Sequence, residues 1–256
     1  MHVLVLVSGV ADPKWPLPRQ SDAAALAAHA ARYALPSPFD EAALELALQL
    51  RDADPATTIT AAVAGPEALA RKVAEWRLDA VHRLAATAPN AWDAGASAQA
   101  LATACAGLAR AASVVLCGRE FGDWDDGSVP ALLARNWKLA HVPLTLGVDV
   151  HAGRLRVTRQ RGAALERWTV PAPALLSVTN DARNKLRHPL LKNVMAARRL
   201  QILTLAIEPG APAVACTRLA PAVAPPRAAA CRMLAGSLDE QARELADLLR
   251  QEGVPA

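Results

Sequence analysis

Tyrosine occurs once and phenylalanine twice in this chain of 256 residues, and aromatics together make up only 4% of it. A core built on bulky rings is therefore excluded. The apolar fraction still reaches 53%, much of it alanine, so the interior must be closed by small side chains on close-packed helices. Cysteine is also scarce: Cys105, Cys117, Cys216 and Cys231 sit among apolar or small residues without C-x-x-C spacing, and reduced, mostly buried thiols are expected. No apolar run approaches the roughly 18 residues of a membrane-spanning helix, and the stretch from Met1 to Val7 lacks a basic n-region, so a soluble bacterial cytoplasmic protein is expected. A formal charge of +4, with arginines dispersed except over 183–199, gives no footprint for nucleic acid.

The motifs of common chemistries are missing as well. No G-x-G-x-x-G follows the first apolar run, and no G-x-x-x-x-G-K-S/T, G-x-S-x-G or H-E-x-x-H occurs. The histidines (His2, His29, His82, His141, His151, His188) have no metal-ligand spacing, and no nucleophile, base and orienting partner can be assembled. No catalytic residue and no metal site are expected.

What is present centres on residues 112–134. A β-branched run, Val114 to Leu116, breaks at Gly118, passes through a loop holding Asp123, Asp125 and Asp126, and re-enters a helical pattern at Ser128. In an open parallel sheet, ligands collect beyond the carboxyl ends of strands, where helix N-termini expose unpaired N–H groups. Two readings stay open here: a nucleotide-sized ligand on this loop, or a plain connection whose aspartates cap the helix and hold the loop. Three carboxylates repel a bare phosphate unless only backbone N–H groups and hydroxyls face it.

Along the chain, a buried strand over 2–7 ends at Ser8-Gly9, and prolines 13, 16 and 18 mark a loop before an alanine-rich helix over 21–32. Ser37-Pro38-Phe39-Asp40-Glu41 opens a helix running to about residue 51. A strand over 58–63, Ala64-Gly65-Pro66 and a helix over 67–76 repeat the βα unit. A short strand over 80–84 and a helix over 97–110 lead to the central strand. After Pro143, runs over 144–150, 154–160 and 165–170 read as antiparallel hairpins on the sheet edge, followed by a strand over 174–178. The basic segment 183–199 carries Leu190, Leu191, Val194 and Met195 at helical spacing, a stripe that is core if covered and a docking face if exposed. The fold class is α/β: a mostly parallel, three-layer sheet of the Rossmann or adenine-nucleotide-hydrolase type over 1–205. An antiparallel hairpin edge and an alanine- and proline-rich arm over 206–256, closed by a capped terminal helix, complete it.

Several of these punctuations, in this order, resemble the β subunit of electron transfer flavoprotein, a family that includes the FixA proteins. Val10-Ala11-Asp12-Pro13 resembles the family's V-x-D-x after its first strand. Ser37-Pro38-Phe39-Asp40-Glu41 is similar to N-P-F-C/D-E, Ala64-Gly65-Pro66 to x-G-P, and Gly118-Arg119-Glu120-Phe121-Gly122-Asp123-Trp124-Asp125 to G-K/R-Q-A-x-D-x-D. Val157-Thr158-Arg159 through Gly162, Glu166 and Pro173-Ala174-Leu175-Leu176-Ser177 resemble the signature V-x-R-x-x-x-G-G-x-E and the strand after it. Asn180-Asp181-Ala182-Arg183 and the run from Leu191 to Arg199 are similar to N-E-P-R and L-x-x-I-M-x-A-K/R-K/R.

The resemblance implies a heterodimer with an α subunit that shuttles electrons from flavin-dependent dehydrogenases to an acceptor, a membrane quinone oxidoreductase being one. It implies no turnover by this chain, a redox FAD held mainly by the α subunit, and a structural AMP, or in bifurcating members a second FAD, in the β subunit. By position, the cofactor-binding residues would be Leu6, Ser37, Pro38, Phe39, Asp40, Ala64, Gly118, Arg119, Glu120, Asp123, Asp125, Asp126, Gly127, Ser128 and Val129. Leu191, with Met195, would dock on partner dehydrogenases. Gly127-Ser128-Val129-Pro130 departs from the family's N-Q-T-G or A-Q-V-G, losing amide side chains and, at Pro130, a backbone donor. A stand-alone adenine-nucleotide-binding regulatory protein is the alternative.

Overall fold

The computed structural model describes residues 1–12, 14, 35–86, 93–123, 125–208 and 233–251. Strand β1 (His2–Val10) is its centre, sending Val3, Val5 and Val7 into one apolar layer and Leu4 and Leu6 into another, as a continuous apolar run buried on both faces must. β3 (Thr58–Ala64), β4 (Ala80–Ala86) and β10 (Leu203–Ile207) extend the sheet on one side. β5 (Val114–Gly118), β9 (Ala174–Val178), β6 (Ala140–His151), β7 (Arg154–Arg161) and β8 (Ala164–Val170) extend it on the other. All pairings from β10 across to β6 are parallel, whereas β6, β7 and β8 pair antiparallel. β2 (Leu35–Pro36) pairs antiparallel with Gly9 and Val10, which carries β1 past the end expected at Val7.

Helices cover both faces. α1 (Pro38–Ala53) and α2 (Glu67–Ala74) pack on the Val3 face, together with Ala197 of α6 (Leu191–Ala197). α3 (Ala94–Ala104), α4 (Ala106–Ala111) and α5 (Ser128–Trp137) cover the Leu6 face. The result is the three-layer, mostly parallel α/β fold with an antiparallel edge. α1 is fixed chiefly by burial: Leu44, Leu46, Leu48 and Leu50 are all in the core, at about 1.5–3 kcal/mol for each such side chain. Its start is set by Ser37, whose hydroxyl accepts from the Asp40 amide at 3.0 Å while Asp40 Oδ2 accepts from the Ser37 amide at 3.2 Å.

Several boundaries differ from expectation. The helix expected over 97–110 is two helices meeting at buried Cys105, whose φ of −99° and ψ of 8° bend the chain while Leu101 and Ala109 keep their backbone bonds to it. β6 begins before Pro143 rather than after it. The register shift between Val142 and Thr145, with Leu144 at φ 56°, lets the proline sit in a bulge, so the first half of the strand pairs with β9. β10 has no counterpart among the expected strands. Its five residues form a short edge strand along β4.

The chain divides into two compact units, Met1–Leu219 and Ala220–Ala256. In the second, α7 (Leu238–Gln251) is capped as its spacing predicts: the Ser237 hydroxyl and amide both donate to Glu240 at 2.8 Å. The expected helix over 21–32, Trp124, Cys216, Cys231 and the proline-rich stretch of the arm lie outside the described residues. No described helix is long and apolar enough to cross a membrane.

Candidate functional site

From β1 the chain steps outward to β3 and β4, then returns to the opposite side of β1 as β5. The crevice beyond the carboxyl ends of β1 and β5 is therefore the topological switch point, where open α/β sheets hold ligands. Register places Ser8 beside Ala64 and Leu6 beside Cys117, so β1, β3 and β5 end together, and the N-terminus of α1 and the loop 118–128 meet over them.

Asp40 lies at the centre and is fully buried. Its Oδ2 accepts from the Ser37 hydroxyl at 2.8 Å and from the Ser37 and Ser8 amides at 3.2 and 3.4 Å. Oδ1 has no hydrogen-bond partner among the described residues. Burial outweighs these donors and pushes the carboxyl up to about 7. Gly118 is packed against it: a Cβ there would meet the Glu120 carbonyl oxygen at 2.9 Å and Asp40 Oδ1 and Phe39 Cβ at 3.0 Å. Two of these three contacts are to backbone or to a carboxylate already fixed. Gly118→Ala is therefore expected to cost roughly 2 kcal/mol as an overpacked site. Thermal unfolding of the purified protein would show this as a fall of about 4–8 °C.

The loop's carboxylates are all engaged. Asp125 Oδ1 accepts from the amides of Gly127, Ser128 and Val129 at 3.1, 2.9 and 3.1 Å, and its Oδ2 accepts from the Phe121 amide at 2.8 Å. Asp126 accepts from the Ser128 hydroxyl at 2.6 Å, and Asp123 from the Ala11 amide at 2.8 Å. Gly122 sits at φ 83°, where a Cβ would meet Ser8 Oγ at 2.9 Å, so this glycine is needed for both conformation and contact. Arg119 lies 4.5 Å over the Phe39 ring and bonds Glu120 at 2.9 Å, leaving its charge balanced.

The structure thus gathers Ser37, Pro38, Phe39, Asp40, Ala64 and the described residues of the stretches 118–123 and 125–129 at one end of the sheet. Leu6 and Val129 are buried on the α3–α5 side and present no side chain to the crevice. Ser8 and Ala11 belong to the site without standing among the expected residues. Their sequence signals are the Ser8-Gly9 strand end and, for Ala11, its place in Val10-Ala11-Asp12-Pro13. A phosphate does not fit the N-terminus of α5, because the amides that would receive it already hold a carboxylate and the Ser128 hydroxyl is turned to another. Buried Cys117 is no nucleophile, since burial and then Asp40 and Asp125 push its thiol upward. No group of metal-ligating side chains occurs among the described residues.

The second candidate surface is α6. Leu190, Leu191 and Met195 are 59%, 77% and 50% exposed, so the stripe over 190–195 is not core in this chain. Lys192, Arg198 and Arg199 of the same segment are exposed too, and Lys192 and Arg199 line one shallow surface with Met195.

Residues 25–230 match the family described as Electron transfer flavoprotein domain. A Mycobacterium tuberculosis protein named Electron transfer flavoprotein subunit beta is 27% identical over 213 residues, covering 80% of this chain and 79% of the relative. Proteins of the same name from Syntrophomonas wolfei and Megasphaera elsdenii are 28% and 27% identical, covering 66% of this chain in each case and 67% and 65% of the relatives.

Proposed function

The chain belongs to the electron transfer flavoprotein family, and from that membership we propose that it is the β subunit of a heterodimer carrying electrons from flavin-dependent dehydrogenases to a downstream acceptor. Its setting is the bacterial cytoplasm, with a membrane quinone oxidoreductase as one acceptor. The single observation that carries the reading is α6, an apolar stripe held in solvent beside exposed basic residues, which is what a subunit needs to engage other proteins transiently. The α subunit holds most of the FAD, which supplies the redox chemistry, and residues 206–256 pack on that subunit. This chain's own residues orient and dock. Leu191 enters an apolar socket on the dehydrogenase and excludes water around it, while the sheet keeps α6 at a fixed place. No role is assigned to AMP, since the carboxylates at α5 leave its phosphate no donors there.

Co-expression with the α subunit, size-exclusion chromatography and ligand extraction test the reading. A yellow 1:1 complex containing one FAD is expected, and a colourless monomer indifferent to the α subunit overturns the proposal. In the complex, Leu191→Ala is expected to raise the KM for the dehydrogenase by roughly tenfold or more, as loss of a buried anchor does. FAD content should stay the same.

A further inference from the structure

α6 is seven residues long, has no side-chain cap at Leu190 and buries only Ala197. Two turns of helix have almost no stability of their own, so something else must hold Leu190, Leu191 and Met195 in place. The segment is gripped at both ends by arginines. Upstream, Arg187 reaches back to Glu45 in the middle of α1. Its Nη2 donates to Oε1 at 2.7 Å, its Nε to Oε2 at 3.0 Å and its own amide to Oε2 at 3.1 Å, while Nη1 pairs with Asp52. Trp76 Nε1 donates to the Arg187 carbonyl at 2.7 Å, and Gln49 Nε2 to the Arg183 carbonyl at 3.1 Å. Downstream, Arg71 of α2, oriented by Glu67, donates to the carbonyls of Arg198 and Leu200 at 3.3 and 3.4 Å.

Glu45 is only 5% exposed, although it sits on the helix that forms the core of this face. A carboxylate so placed must be paired, and the planar fork of an arginine satisfies both oxygens where a lysine cannot. The line of force runs from the sheet through the leucines of α1 to Glu45, then Arg187, then the docking stripe that begins at Leu190. Beside it lies a cleft of about 760 Å³ lined by Trp76, Arg77, Arg187, Pro189 and Asn193, which leaves the segment room to shift once the pair is broken.

We propose that Arg187, held by Glu45, is a positioning residue for partner docking: the pair sets the height and orientation at which α6 presents Leu190, Leu191 and Met195. The proposal rests on the reading of α6 as the docking helix. It assigns Arg187 no contact with the partner and no part in electron transfer.

The test uses the full chain in complex with its α subunit, as wild type, Arg187→Ala, Arg187→Lys, Glu45→Gln and, as comparator, Leu191→Ala. Amide hydrogen exchange over 191–197 is expected to quicken about tenfold or more in Arg187→Ala while exchange over 3–7 stays as in the wild type, the mark of local rather than global opening. The probe for docking is the flavin dehydrogenase of the same organism that reduces the complex fastest, with its own substrate. Its KM is expected to rise about tenfold, with kcat within about twofold and FAD content unchanged. Arg187→Lys should fall between, and Glu45→Gln should match Arg187→Ala without adding to it when the two are combined. If Arg187→Ala fails to assemble, Arg187→Lys carries the same comparison. Wild-type exchange and KM in the arginine variants, with Leu191→Ala raising KM, overturn the positioning role alone. Should Leu191→Ala also leave KM unmoved, the docking reading itself falls.

Discussion

Replacing Asp40 by asparagine is expected to stabilise the protein at pH 8 and to leave it nearly unchanged at pH 4. Burial raises the folded carboxyl from 3.8 to about 7, against the hydrogen bonds from Ser37 and Ser8 and the backbone of Gly118 beside it. Between those values the folded state binds a proton that the unfolded state has released. Stability therefore falls as pH climbs from about 4 to 7, and the loss is complete above 7. At 1.36 kcal/mol per unit, a rise of this size corresponds to on the order of 4 kcal/mol. An asparagine side chain in this place would keep an oxygen for the Ser37 and Ser8 donors and put an N–H₂ where Oδ1 has no partner among the described residues, without a charge to bury. Thermal unfolding from pH 4 to pH 9 should show the two midpoints converging at the acid end and separating by roughly 8–15 °C at the alkaline end. A variant no more stable than wild type at pH 8 would show that the serine donors outweigh the burial.

The same carboxylate shows where sequence reasoning stops. Pro38 in the first turn, acidic residues after it and apolar residues at helical spacing mark α1, and the continuous run from Val3 to Val7 marks a doubly buried strand, because both are local patterns imposed by burial. The order of strands, alternating with helices, then places a crevice after Val114–Leu116. The Ser37-x-x-Asp40 spacing is a local capping signal that turns Asp40 back onto Ser37, but nothing local says that Ser8 joins it or that the carboxyl is buried. That depends on β1 and β5 converging from distant parts of the sequence. Pro143 misleads for the opposite reason, since a rule about strand interiors is overridden by a bulge with Leu144 at positive φ. Leu190, Leu191 and Met195 are legible as an apolar stripe, but only the packed chain reveals that the stripe is left in solvent. The Glu45–Arg187 pair, 142 residues apart in sequence, has no local signal at all.

Removal of the Asp125 carboxylate should produce the other large effect. In Asp125→Ala four backbone donors, from Phe121, Gly127, Ser128 and Val129, lose their acceptor together. Bonds from amides to a charged oxygen are each worth about 1.5–3 kcal/mol, and water reaching this half-exposed loop recovers part of that, so a net loss of about 2–4 kcal/mol is expected. Asp125→Asn retains an oxygen without the charge and should lose less. Exposed Asp126, which accepts from the Ser128 hydroxyl, should tolerate alanine within about 0.5 kcal/mol. Because Asp125 already neutralises the N-terminus of α5, the melting of the wild type should be indifferent to millimolar phosphate or AMP. In Asp125→Ala the freed amides form a vacant anion seat, and phosphate should restore part of the lost stability. A wild type that melts higher with AMP would place the phosphate on donors other than Gly127, Ser128 and Val129. An Asp125→Ala protein as stable as the wild type would mean that the loop is held by its glycine turns and by Asp123 on the Ala11 amide rather than by this carboxylate.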